Sequence, residues 1–156
     1  MKEIPLTQGK VALVDDEDFE YLNQWKWNYH KSRKTGYATR SFWKEGKGST
    51  IIMHRLLLNA SKEQMVDHIN HNGIDNRKHN LRLCTPHENA CNSEKQINNS
   101  SGIKGVDYFD RLKKWRVRIQ SNNKQFHIGV YPTKETALIA YNEAAIKYHG
   151  AFALLN

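Results

Sequence analysis

The chain has 156 residues, enough for one ordinary domain or two small ones. Its 24 Lys and Arg against 16 Asp and Glu leave a net charge of +8, which favours a polyanionic partner. Two cysteines, Cys84 and Cys91, exclude a disulfide framework and a cysteine-based zinc site. They suit small buried hydrophobes in a reducing compartment. No apolar run approaches the roughly 18 residues of a membrane span. Lys2 and Glu3 ahead of Pro5 do not have the layout of a signal peptide. The expectation is a soluble protein of the bacterial or phage-infected host cytoplasm with no membrane partner.

Residues 1–50 read as a β-rich lead-in. Trp25, Trp27 and Tyr29 alternate with polar residues, the period of a half-buried strand. Lys34-Thr35-Gly36 is a turn signal, and Tyr37 to Trp43 reads as the return strand. Gly46-Lys47-Gly48 then turns the chain into Thr50 to Met53. A small sheet needs these aromatics to bury enough area, so they are expected in the core. Residues 54–65 combine Leu56, Leu57 and Leu58 with a capping-box pair at Ser61 and Gln64, which predicts a short helical piece.

The segment from Val66 to Asn89 concentrates acidic, imidazole and carboxamide side chains and is poor in aliphatics. Hard oxygen donors beside a histidine are what metal-assisted phosphodiester hydrolysis requires: an ion to hold phosphate and a base to activate water. Asp67 and His68 are neighbours, so both can serve one site only if the strand carrying them ends or bulges there. Asn72-Gly73 makes such a break plausible. Thr85 can cap a helix with Pro86 at its first position and Glu88 reciprocating. Asn89 and Asn92, three apart, share a face of that helix.

Residues 51–92, with Met53-His54-Arg55 before Asp67-His68 and then Asn80-Leu81-Arg82 and Glu88-Asn89, resemble the phage-type HNH homing endonucleases. The resemblance implies a ββα-metal fold: a strand ending in the Asp-His pair, a loop with the central Asn, a return strand and a helix. It implies that Asp67 and Asn89 hold one divalent cation, Mg²⁺ or Mn²⁺, that His68 is the general base, and that Asn80 orients its imidazole. Oxygen donors suit these ions, and a histidine titrating near neutrality suits that role. Many HNH proteins end in His where this chain has Asn89. His87 is the nearest imidazole, and as the ligand it would admit a softer ion. His54 is expected to be structural, while His71 could face the phosphate.

Asn98 to Gly102 reads as a linker. Beyond it Gly105-Val106 leads a strand, Trp115 to Gln120 alternate strictly, Asn122-Asn123 turn the chain, and Gln125 to Gly129 form a third strand. A helix starts at Thr133 and ends at Gly150, with Ala137, Ala140, Tyr141, Ala144, Ala145 and Tyr148 at helical spacing. Residues 101–156 carry nine Lys and Arg against four Asp and Glu, more than half of the chain's surplus. If Trp115, Val117 and Ile119 face the helix, then Arg116, Arg118 and Gln120 project from the other side, joined by Gln125 and His127. Such a face fits the major groove, where Arg reads guanine and Gln reads adenine. Lys104, Lys113 and Lys114 would meet phosphates. Gly102 to Val106, Lys114-Trp115, Ile128-Gly129, Tyr131, Ala137, Ala140-Tyr141, Ala144-Ala145, Gly150 and Ala153 to Asn156 resemble an AP2-type DNA-binding domain. The positions of Asp107, Gln120, Gln125 and His127 differ from plant AP2 domains, so base preference does not transfer.

The expected fold class is α+β, with four parts: a β-rich segment of the nuclease lobe (1–50), an HNH ββα-metal core (51–95), a linker (96–101) and an AP2-like domain (102–156). The expected function is a metal-dependent DNA endonuclease, a monomer or weak dimer that takes double-stranded DNA and needs no small-molecule cofactor beyond the metal. The alternative is a catalytically silent DNA-binding regulator that uses the C-terminal sheet. RNA binding gains little support, since no ribonucleoprotein-type aromatic motif or RGG-like tail is present.

Overall fold

The structure, a computed structural model, describes residues 1–32, 35–95 and 98–156. Lys34 of the predicted turn, and Gln96 and Ile97 of the predicted linker region, lie outside the described residues. The described chain is α+β, as expected, with four α-helices and several small antiparallel sheets. It divides into two compact units, Met1–Thr85 and Pro86–Asn156. Among the described residues no helix is long and apolar enough to cross a membrane.

The described residues of the first unit form three small sheets. Strands β1 (Lys2–Pro5) and β2 (Val11–Val14) form a hairpin, with Ile4 opposite Ala12. Strands β3 (Asn28–Lys31), β4 (Gly36–Lys44) and β5 (Lys47–Ile52) form an antiparallel meander. Strands β6 (Met65–His68) and β7 (Leu81–Cys84) pair antiparallel. Ile4, Leu6, Ala12, Val14, Leu22, Trp27, Ala38 and Met53 make the core. Burial of each large side chain there contributes about 1.5–3 kcal/mol. Trp27 is fully buried because its indole N–H has an acceptor, the Leu22 carbonyl at 2.9 Å.

The β-rich expectation for residues 1–50 needs three corrections. Helix α1 (Asp16–Leu22) interrupts it: Asp16, Glu17 and Asp18 occupy its first turn, where the helix dipole favours acids, and Leu22 faces the core. The strand predicted to start at Trp25 begins at Asn28, and Trp25 precedes it under the guanidinium of Arg40, 4.2 Å from the ring. Trp43, expected in the core with the other aromatics, is 77% exposed near the tip of the β4–β5 hairpin. The helical piece predicted over 54–65 is shorter, α2 (Met53–Leu57). Half of the predicted capping box forms, the Ser61 N–H donating to Gln64 Oε1 at 2.9 Å, while the Ser61 hydroxyl donates to Glu63; the pair sits in a lone turn that Arg55 ties to α2 through the carbonyls of Ser61 and Gln64.

The second unit begins with helix α3 (Pro86–Cys91), at the proline the sequence assigns to its first position. Strands β8 (Val106–Phe109), β9 (Lys114–Ser121) and β10 (Lys124–Tyr131) form one antiparallel sheet with β9 central. Asn122 and Asn123, both at positive φ, make the β9–β10 turn. Helix α4 (Lys134–His149) is capped by a Thr133–Thr136 capping box and ends at Gly150. Its buried Ala137, Ala140, Tyr141, Ala144 and Ala145 share a core with Val106, Val117 and Ile119. Gly105 is obligatory: its φ is +72°, and a Cβ would come within 2.4 Å of the Tyr141 ring and 2.5 Å of the Arg118 carbonyl oxygen.

Candidate active site

Strand β6 ends at His68, the break that the Asp67-His68 pair requires. The His71 N–H closes back on the His68 carbonyl at 3.0 Å, and His71 itself is left-handed, with φ 63°. Asp67 and His68 are both buried at 6% exposure, an unusual state for two adjacent polar side chains. Arg82, opposite Asp67 on β7, supplies the compensation: Nε and Nη2 both reach Oδ2, at 2.8 and 2.7 Å. A buried carboxylate without such a partner is expensive.

Aromatic rings surround the His68 imidazole. His54 meets it edge-on at 4.9 Å between centroids, and Tyr37 lies 5.9 Å from it and 5.4 Å from His54. Burial holds His68 below its ordinary pKa, against the opposing pull of the Asn76 amide and the Asp67 and Asp75 carboxylates. Burial, reinforced by His68 and Arg55, lowers His54 to about 3, so it is neutral in the fold. Its Nδ1 is buried with no hydrogen-bond partner among the described residues. Burial, and after it the charge on Asp67, raises Tyr37.

The loop behind the pair is built from hydrogen bonds. Asn80, buried at the end of the 3₁₀ turn Lys78–Asn80, accepts the Asn70 N–H at 3.0 Å and donates to Asn70 Oδ1 at 3.0 Å and the Asp75 carbonyl at 2.8 Å. Asp75 is 1% exposed and held below the usual carboxylate range chiefly by Arg77, whose Nε and Nη2 reach its two oxygens at 2.7 Å each. Leu13 exchanges backbone bonds with Ile74 and Asn76, tying the loop to β2. Gly73 must be glycine here, since a Cβ would meet the Gly36 oxygen at 2.4 Å and the Tyr37 ring at 2.7 Å. Lys78 fixes the 3₁₀ turn to α1, its N–H on Asp15 and its ammonium on Glu17 and Asp18.

The sequence reading singled out Asp67, His68 and Asn80, and the fold brings all three into this corner of the first unit. It left out Tyr37 and Asn76 and gave Arg82 no role. Alternation puts Tyr37 on the side opposite Ala38, but no signal in the sequence sets that side against His68. Asn89 is half-buried on α3, in the second unit. His87, on the same helix, accepts the Asn122 N–H at 3.3 Å and lies 3.7 Å from the Cys91 sulfur. Both cysteines are buried and free, as expected. Among the described residues no group of three or more His, Cys, Asp and Glu has the arrangement to hold a metal ion.

On the sheet of the second unit, alternation holds: Val117 and Ile119 are buried, while Arg118 stands opposite His127 and Gln120 opposite Gln125 on the outer face. Asp107 links the two arginines, accepting from Arg116 Nη2 at 2.7 Å and Arg118 Nη2 at 2.9 Å. Lys113 and Lys114 are exposed. Lys104, expected at a phosphate, gives its ammonium to the carbonyls of Cys91 and Ser93 at 2.7 Å and of Ala90 at 3.3 Å, capping the end of α3.

The corner thus sets a buried acid beside a buried imidazole, backed by a polar loop. The comparisons with known proteins supply the assignment. Over 155 residues, 96% of this chain and 76% of the relative, the sequence is 30% identical to an uncharacterized HNH endonuclease of Acanthamoeba polyphaga mimivirus. The chain belongs to the HNH endonuclease family. It is also 30% identical over 92 residues to Protein 3.8 of Escherichia phage T7, covering 59% of this chain and 75% of that one. A 57-residue stretch, 36% of the chain, is 37% identical to APETALA2-like protein 2 of Oryza sativa, of which it spans 13%. No family model matches the chain.

Proposed function

We propose that the protein is a metal-dependent DNA endonuclease of the HNH homing type, with residues 51–95 as a ββα-metal nuclease core and 102–156 as an AP2-like DNA-docking module. The observation that carries this is the burial of Asp67 beside His68 at a strand end, with ring neighbours that leave the imidazole little rotational freedom. His68 acts as the general base that takes a proton from water, and Asn80 holds the loop that fixes its position. Asp67 and Asn89 supply oxygens to one Mg²⁺ or Mn²⁺. Carboxylate and carboxamide oxygens are the donor types such an ion takes, and it commonly keeps several waters and binds through one or two protein oxygens plus substrate phosphate. When bound, it would neutralise the phosphate and the leaving oxygen.

Arg116, Arg118, Gln120, Gln125 and His127 dock in the major groove, with Lys113 and Lys114 on phosphates and Asp107 holding the two guanidiniums in register. One site per chain makes a single nick the natural unit, and two cuts require a weak dimer or a second turnover. A second reading is a DNA-binding regulator that does not cut. The Arg82–Asp67 ion pair favours it, because a guanidinium already occupies one side of the carboxylate. A plasmid-nicking assay separates the two. Mg²⁺ should support nicking and excess chelator should abolish it, while His68→Ala should lower the rate by at least about 10²-fold, the usual worth of a general base, with duplex affinity unchanged. Nicking that survives in chelator would refute the mechanism.

A further inference from the structure

The first 50 residues carry nearly balanced charge overall but consist of two opposed blocks. Residues 1–25 hold two Lys and Arg against six Asp and Glu; residues 26–50 hold seven against one. The acidic block is largely consumed inside the first unit: Asp16 by the N-terminal amine, Glu20 by Lys2, and Asp15, Glu17 and Asp18 by Lys78. Two bases of the second block, Lys44 and Lys47, are exposed and pair in register at the end of the β4–β5 hairpin. The block's one acid, Glu45, lies 3.8 Å from Lys44 at the tip.

The same hairpin has an outer face. Ala38 is in the core and Arg40 lies over Trp25, so alternation places Tyr37, Thr39, Ser41 and Trp43 together on the opposite side. At one end of this strip Tyr37 touches the ring cluster around His68. At the other end Trp43 is 77% exposed and lies over its cross-strand partner Gly48, where a Cβ would sit 3.6 Å from the ring. Between them are small hydrogen-bonding side chains: Thr39, flanked by Asn28, and Ser41, opposite Thr50. Six residues of strand span about 20 Å, or about six base pairs of B-form duplex.

We propose that the end of this hairpin is a second DNA-contact surface, built into the nuclease unit, that grips the duplex about six base pairs to one side of the scissile phosphate. It rests on the nuclease reading above and adds to it a substrate contact independent of the C-terminal sheet. Alternation puts Lys44 and Lys47 on the opposite side of the hairpin from Trp43, so the hairpin meets the duplex end-on. The lysines engage phosphates, and Trp43 enters the groove, where a large apolar ring gains by leaving water against sugars and base edges. The positive charge selects a nucleic acid as the occupant. Continuity with the His68 corner makes it the strand being cut.

The test measures binding of the full chain to a labelled random-sequence 40-base-pair duplex in excess chelator, where cleavage does not enter. Lys44→Gln/Lys47→Gln should bind about fivefold or more weakly and lower the slope of log K against log salt by about 1.8, or 0.9 per phosphate lost. Trp43→Ala should weaken binding about fivefold or more with the slope unchanged. Lys10→Gln, exposed and off this face, should match wild type. All three positions are exposed, and urea melts verify that the variants fold. Hairpin variants that bind like wild type, or a chain that prefers duplex RNA of the same length, would overturn the proposal. A wild-type chain that binds as described but never nicks with Mg²⁺ counts against the nuclease reading alone, because the binding result stands without it.

Discussion

His54 illustrates what a single side chain does for this site. A histidine whose pKa in the fold is about 3 and whose ordinary value is 6.5 takes its proton only in the unfolded chain between those limits. Its contribution to stability is therefore complete above pH 6.5 and is lost progressively as pH falls toward 3, approaching about 1.4 kcal/mol per pH unit. His68 acts in the same direction, so the diagnostic is a difference. Urea melts of His54→Phe, which keeps an aromatic ring in the cluster, should fall less steeply from pH 6.5 to 4.5 than wild type. Equal slopes would mean that His54 is protonated in the folded protein. Asp75 acts further down the scale: Arg77 depresses it, so its stabilisation persists above the ordinary carboxylate range and disappears below it.

Among the elements, the C-terminal sheet and helix were the most legible in the sequence, because each carries one period throughout: Trp115 to Gln120 alternate, and the α4 alanines recur at helical spacing. Gly105 adds a constraint at the junction of strand and helix, and Gly105→Ala should cost about 2–4 kcal/mol through the left-handed backbone and the clash with Tyr141 together. Urea denaturation measures it, and a loss under 1 kcal/mol would mean that the turn relaxes. The N-terminal elements were less legible. Helix α1 has seven residues and few apolar ones, so its acidic first turn was the only signal. Trp43 shares the parity of Tyr37, not of the buried Ala38, and its place near the end of the hairpin leaves it exposed. At the candidate site the sequence singled out Asp67, His68 and Asn80, whereas Arg82 meets Asp67 by pairing across strands and Tyr37 meets His68 by a ring contact between sheets, neither of which spacing encodes.

For the molecule as a whole, the surplus of +8 is less informative than its placement. Acids of the first unit tie α1 to the Lys78 turn, while Lys44 and Lys47 at the hairpin and Lys113 and Lys114 in the C-terminal module stand exposed. Local neutralisation has its sharpest form at Arg82, which answers the Asp67 charge from within the chain. A carboxylate satisfied in this way does not depend on an ion for the fold. The melting temperature of the full chain should move by no more than a few degrees between millimolar Mg²⁺ and excess chelator, the range allowed by weak binding to the native state. Loss of the cooperative transition in chelator would contradict this. Under the function proposed above, a protein so arranged would stay idle where free magnesium is scarce and still be intact when a phosphate backbone brings the ion to it.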